Sequence, residues 1–142
     1  MKNLILLLTF LSTVFVSQAQ DSWKIKLNKK VLLSATAEDE VKNIKKIKSV
    51  ELNKPGYLEV LYKEMPVKTG WQRSLLFFDE NDTELWRKDN SKAATKISNA
   101  ILKKLFTGKN KIKIYTISLP TDPNKAAAVR VRRVHLCTLE LK

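Results

Sequence analysis

The only histidine, the only cysteine and three of the five arginines of this chain fall in one stretch near its carboxyl terminus, "VRVRRVHLCTLELK", Val129 to Lys142. Two chemistries deserve a test there. A thiol becomes a nucleophile when an imidazole lies within hydrogen-bond reach and a third group orients it. A pair of guanidiniums on a rigid element binds phosphate or carboxylate bidentately, which lysines do less well.

The first chemistry fails on spacing. In an extended strand His135 and Cys137 point to the same side but stand about 7 Å apart along the backbone, since each residue rises about 3.3 Å. Their neighbours on that face, Val131, Leu139 and Leu141, are apolar, so both residues read as core positions. The second chemistry survives. By alternation Arg130 and Arg132 leave one face and Arg133 the other, unless a bulge at Arg132–Arg133 turns Val134 and Leu136 inward in place of His135 and Cys137. Either way at least two guanidiniums share a face. Lys111 and Lys113 join them if the strand that carries them pairs with the last one. These five residues are the candidate anion contacts, and no catalytic or cofactor-binding residue is expected.

Metal chemistry lacks ligands. A structural zinc site takes four Cys or His, and a blue-copper site takes two His, a Cys and an axial Met. Residues 20–142 offer one His, one Cys and Met65. A cupredoxin-like sandwich is compatible in shape, but without a working copper site in one chain. The run "DENDTE", Asp79 to Glu84, gathers four acids in six residues. It has neither the glycine nor the spacing of an EF-hand loop and reads as a turn. The remaining carboxylates sit mostly in turns beside lysines, so a small carboxylate-dependent hydrolase is a lesser alternative and the chain is expected not to be an enzyme.

The elements that would position these side chains are mostly strands. Trp23, Ile25 and Leu27 alternate with Lys24, Lys26 and Asn28, and Val31 to Leu33 continues or pairs beside them. Thr36 to Lys48 fits a helix or a strand equally. After the Pro55-Gly56 turn, Leu58, Val60 and Tyr62 alternate again. Leu75 to Phe78 and Leu85-Trp86 flank Asp79 to Asp82 as a hairpin, and four consecutive apolar residues imply a strand covered on both faces. One helix is expected near residues 91–106, with Ala93, Ile97, Ala100, Ile101 and Leu105 on one face, Asn90 or Ser91 as cap and Gly108 beyond its end. Ile112 to Leu119 is a further strand, Asp122 can cap a short turn through Ala127, and the last strand runs from Val129. This order predicts a mainly β fold, an antiparallel two-sheet sandwich of immunoglobulin-like or Greek-key type with about seven strands.

The amino terminus predicts export. Lys2, the apolar run Leu4 to Val16 and Ser17-Gln18-Ala19 make a signal peptide over residues 1–19, leaving residues 20–142 as a single sandwich domain. The absence of a Cys near the expected cleavage site argues against a lipoprotein. The rest of the chain has no apolar run of about 18 or more residues, so no membrane span is expected after cleavage. The "AQ" ending and the Lys and Asn richness resemble exported proteins of Gram-negative bacteria, in composition only.

Charge is the one extreme property. The chain carries 27 Lys and Arg against 14 Asp and Glu, a net charge of +13. Such a field draws in polyanions. Export to the periplasm or outside the cell argues against nucleic acid and leaves lipopolysaccharide, anionic glycans or an acidic protein surface. The expected function is therefore that of a non-catalytic binding or scaffold domain of the bacterial envelope, holding an anion on a basic sheet face. The alternative is a protein-interaction module using an exposed strand or an aromatic patch that includes Trp71 and Trp86.

Overall fold

The computed structural model describes residues 19–142. The expected signal peptide lies outside the described residues apart from Ala19. Nine strands form two packed sheets. In chain order they are β1 (Ser22–Leu27), β2 (Lys30–Ala35), β3 (Ile44–Ile47), β4 (Tyr57–Lys63), β5 (Trp71–Phe78), β6 (Glu84–Lys88), β7 (Ala94–Ser98), β8 (Lys111–Pro120) and β9 (Val134–Leu141). Three short helices interrupt them: α1 (Ser49–Leu52), α2 (Asn99–Leu105) and α3 (Pro123–Ala128). One sheet has the order β2-β1-β4-β7, the other β3-β9-β8-β5-β6.

The sandwich is mainly β, as the alternation predicts, with one departure from an antiparallel design. β3 pairs with β9 in parallel, Ile44 opposite Thr138 and Ile47 opposite Leu141. The segment 36–48 thus resolves into a loop and a four-residue edge strand. Only Ile47 of that strand is fully buried, which is why no periodicity stood out.

The main core lies between the sheets. Trp23, Ile25 and Leu27 of β1 and Leu58, Val60 and Tyr62 of β4 face Leu75, Phe77, Ile112, Ile114 and Leu139 of the other sheet. The intervening Lys24 and Lys26 leave the opposite face of β1, so period two alone decides which side chains are buried. β5 is covered on both faces, as its apolar run implies. Leu75 and Phe77 enter the main core, while Leu76 and Phe78 join Tyr115 and Ile117 in a second cluster on the outer face. Both sheets and both clusters are built from residues 22–141.

The helix expected near residues 91–106 is half as long. Ala94–Ser98 is strand β7, pairing with β4 and burying Thr95 and Ile97 at period two. Helical spacing matched these residues only because Ile97 serves both patterns. The helix begins after Ser98, whose hydroxyl accepts the Ile101 N–H at 3.3 Å, so neither Asn90 nor Ser91 is its cap. Its buried side is set by Leu102 and Phe106, and Ile101 remains exposed. The short turn after Asp122 is present as α3, with the Asp122 carboxylate accepting the Asn124 N–H at 2.9 Å and Pro123 in the first turn.

The last strand begins at Val134 and not at Val129. Residues 129–133 therefore do not alternate on a sheet, and Val131 is 49% exposed instead of inward. A bulge does occur, but farther along. Ile114 pairs with Cys137 and Tyr115 with His135, leaving Leu136 as an extra residue. Leu136 and Cys137 consequently both enter the main core, while His135 packs edge-on against Tyr115 of the second cluster. The two reactive side chains thus belong to different clusters.

Candidate functional site

The five basic residues expected to contact an anion are only partly brought together. β8 does pair with β9, and Lys111 and Lys113 alternate with the buried Ile112 and Ile114. Carboxylates meet most of the cations there. Lys111 lies 3.3 Å from Glu140 and 3.7 Å from Glu80, and these acids hold its ammonium above its ordinary range. Arg133 donates two hydrogen bonds to Asp82 at 3.1 and 2.9 Å and stacks over Phe78 and Tyr115. Arg132 is paired with Glu38, whose other oxygen accepts the backbone N–H of His135 at 2.7 Å. Among the described residues Arg130 and Lys113 have no ion pair, Arg130 exposed and Lys113 half-buried. Arg132 and Arg133 thus tie the segment before β9 to Glu38 and to Asp82, and Arg133 covers part of the second cluster.

The acids of the Asp79 to Glu84 turn are similarly engaged. One Asp79 oxygen accepts the N–H groups of Asn81 and Thr83, each at 2.9 Å, and Asp82 takes Arg133. His135 is buried with its Nε2 2.9 Å from Thr138 Oγ1, and burial holds its imidazole below its ordinary pKa. Cys137 is buried too, and desolvation pushes its thiol up to about 12.

A different set of side chains converges at one end of the sandwich. The end of β4, the loop 64–70, the start of β5 and the loop between β6 and β7 enclose a cleft of about 530 Å³. Tyr62 and Arg73 line its floor. The Tyr62 ring lies parallel to that of the core residue Trp23, with centroids 6.1 Å apart, and the Arg73 guanidinium sits 4.1 Å over Tyr62. Arg73 also donates to Glu64 at 2.6 Å and to Thr116 Oγ1 at 3.2 Å, so its charge is matched inside the fold. The Tyr62 hydroxyl donates to Asp21 at 2.5 Å. Burial and that hydrogen bond raise the phenol far above its usual range. The other Asp21 oxygen accepts the Met65 N–H at 2.9 Å, which pins the near end of the loop. The far end is pinned by Thr121, whose N–H and hydroxyl donate to the Gly70 carbonyl at 2.8 and 3.0 Å.

The rim above this floor is cationic. Lys63, Lys68 and Lys92 line the cleft, are exposed, and have no ion pair among the described residues. Among the described residues the one acid lining it is Glu64, already bound to Arg73. Trp71 forms one wall, half-buried, with the Lys68 ammonium 4.8 Å from its ring centre. Trp86, expected to share a patch with Trp71, packs edge-on against Phe77 near the other end of β5 and does not reach the cleft. A second depression, at the opposite end of β4, is lined by Lys54 and Lys103 but by no aromatic ring.

Of the cleft residues, sequence reasoning gave a place in a binding surface to Trp71 alone. A signal was present in "KEMPVKTGW", where Lys63 and Lys68 flank the apolar triplet Met65-Pro66-Val67 and Gly70 precedes Trp71. No protein-family model matches the chain, and comparison with curated proteins and with solved structures gives no match.

Proposed function

We propose that this is a non-catalytic binding domain, exported to the bacterial envelope, that takes an anionic ligand such as an acidic glycan or a lipopolysaccharide phosphate. The observation that carries this reading is the rim of the cleft: three lysines free of carboxylate partners among the described residues beside an indole wall, over a floor whose one arginine is already paired with Glu64. Free ammonium groups gain a partner when an anion enters, whereas Arg132, Arg133 and Lys111 would have to give one up. The leader pattern and the net charge of +13 favour the same class of ligand.

The acids nearest the cleft support a binding role over hydrolysis. Glu64 is held by Arg73, and both oxygens of Asp21 are engaged by Tyr62 and Met65. Both acids are thus engaged in holding Tyr62, Arg73 and the loop in place. The test is binding of purified residues 20–142 to polygalacturonate and to lipopolysaccharide over a salt series. Binding that weakens steeply with salt is expected. Absence of binding to either polyanion at low salt overturns the reading.

A further inference from the structure

The loop that walls the cleft exposes an apolar tip. Met65, Pro66 and Val67 are consecutive and exposed, Met65 by 39% and Val67 by 76% of their surface. The tip is not a loose segment. Asp21 holds its first N–H, Glu64 accepts the Lys68 N–H at 3.4 Å, and Thr121 holds the Gly70 carbonyl. A tip already ordered loses little conformational entropy when it is buried by something else. Lys63 and Lys68 flank it in sequence, Lys92 lines the same cleft, and the half-buried Trp71 begins the strand after the loop.

Exposed apolar side chains beside three lysines of one cleft, with an indole among them, match the layering of an anionic membrane surface. Acyl chains lie beneath the tip, phosphates lie level with the ammonium groups, and indoles favour the zone between. A soluble glycan would use the lysines and leave Met65 and Val67 in water. Resting on the anion-binding reading of this cleft, we propose that its ligand is lipid-borne: Met65, Pro66 and Val67 enter the headgroup region of an anionic membrane while Lys63, Lys68 and Lys92 engage lipid phosphates. Each lysine near such a surface raises partitioning roughly fivefold at moderate salt. The apolar tip adds a contribution that salt does not screen.

The experiment compares residues 20–142 with a Met65→Ser, Val67→Ser variant in co-sedimentation with vesicles of phosphatidylglycerol and phosphatidylcholine, with vesicles of phosphatidylcholine alone, and in polygalacturonate binding. Both substituted positions are exposed, so the fold is retained, as circular dichroism would verify. The unmodified protein is expected to bind the anionic vesicles and not the neutral ones. The variant is expected to lose roughly tenfold or more in vesicle binding while binding polygalacturonate as before. Equal vesicle binding by the two proteins overturns the membrane proposal, as does polygalacturonate binding without vesicle binding; in both cases the anion-binding reading stands. Binding to neither probe overturns both, and would direct the search to a protein partner.

Discussion

Arg133 and Asp82 meet in a bidentate pair, with hydrogen bonds of 3.1 and 2.9 Å, that ties the segment before β9 to the β5–β6 hairpin. The same guanidinium lies 4.7 Å from the Phe78 ring centre and 5.1 Å from that of Tyr115. One arginine thus covers the second apolar cluster and neutralises the hairpin tip.

Substitution Arg133→Ala is expected to cost about 1–2 kcal/mol, combining a largely exposed ion pair with a cation–π contact. Urea denaturation checks the loss, and polygalacturonate binding by the folded variant should be unchanged. Lost binding at unchanged stability would make Arg133 a ligand contact instead.

His135 predicts a pH dependence of stability. Burial holds its folded pKa below the ordinary 6.5, so between the two values the unfolded chain binds more protons. Stability contributed by the neutral imidazole is therefore complete above about pH 6.5 and declines as pH falls toward the folded value. Asp82 and Asp89, held below 3.8 chiefly by hydrogen bonds from Arg133 and Arg87, contribute their own loss only at lower pH. Denaturation of the unmodified protein and of His135→Gln at pH 7.5 and pH 5.5 separates the two windows. The unmodified protein should weaken between these values and the variant should not.

Gly56 is required by an asparagine contact. A Cβ there would lie 2.0 Å from the Asn28 side-chain oxygen, which accepts from Asn99 at 2.8 Å. Asn99 also donates to the carbonyls of Glu51 and Lys54, so one amide joins the β1–β2 turn to the chain around α1. Gly56→Ala is expected to destabilise the fold by about 2 kcal/mol or more, because a buried polar group loses its partner. A melting temperature unchanged by the substitution would contradict that role.

Cys137 should be inert in the folded protein. Its thiol is buried and its pKa is raised to about 12, so almost no thiolate exists near neutral pH. Alkylation is expected only at the rate of unfolding, and oxidation should yield no disulfide-linked dimer. Rapid labelling in native buffer would contradict the burial.

Much of the fold was legible because its strands obey period two. Trp23, Ile25 and Leu27, or Leu58, Val60 and Tyr62, announce a buried face without reference to anything distant. The parts that were not legible depend on partners far along the chain. Thr95 and Ile97 alternate over only five residues, too few to outweigh the helical spacing around them, and the strand forms because β4 offers an edge. The bulge at Leu136 follows from its register against β8. The basic residues of the terminal stretch looked free because Glu38 and Asp82 are distant in sequence, and the cleft went unseen because Arg73, Glu64 and Tyr62 meet only after β4 and β5 are placed in opposite sheets.

The most direct test of the cleft compares two triple variants of residues 20–142 in polyanion binding across a salt series: Lys63→Gln, Lys68→Gln, Lys92→Gln, and Arg130→Gln, Arg132→Gln, Arg133→Gln. Each removes three positive charges, so a purely diffuse field would weaken both alike. The account predicts that the lysine variant loses most of its affinity and salt dependence while the arginine variant loses stability and keeps its binding. Equal losses, or loss confined to the arginine variant, would contradict it.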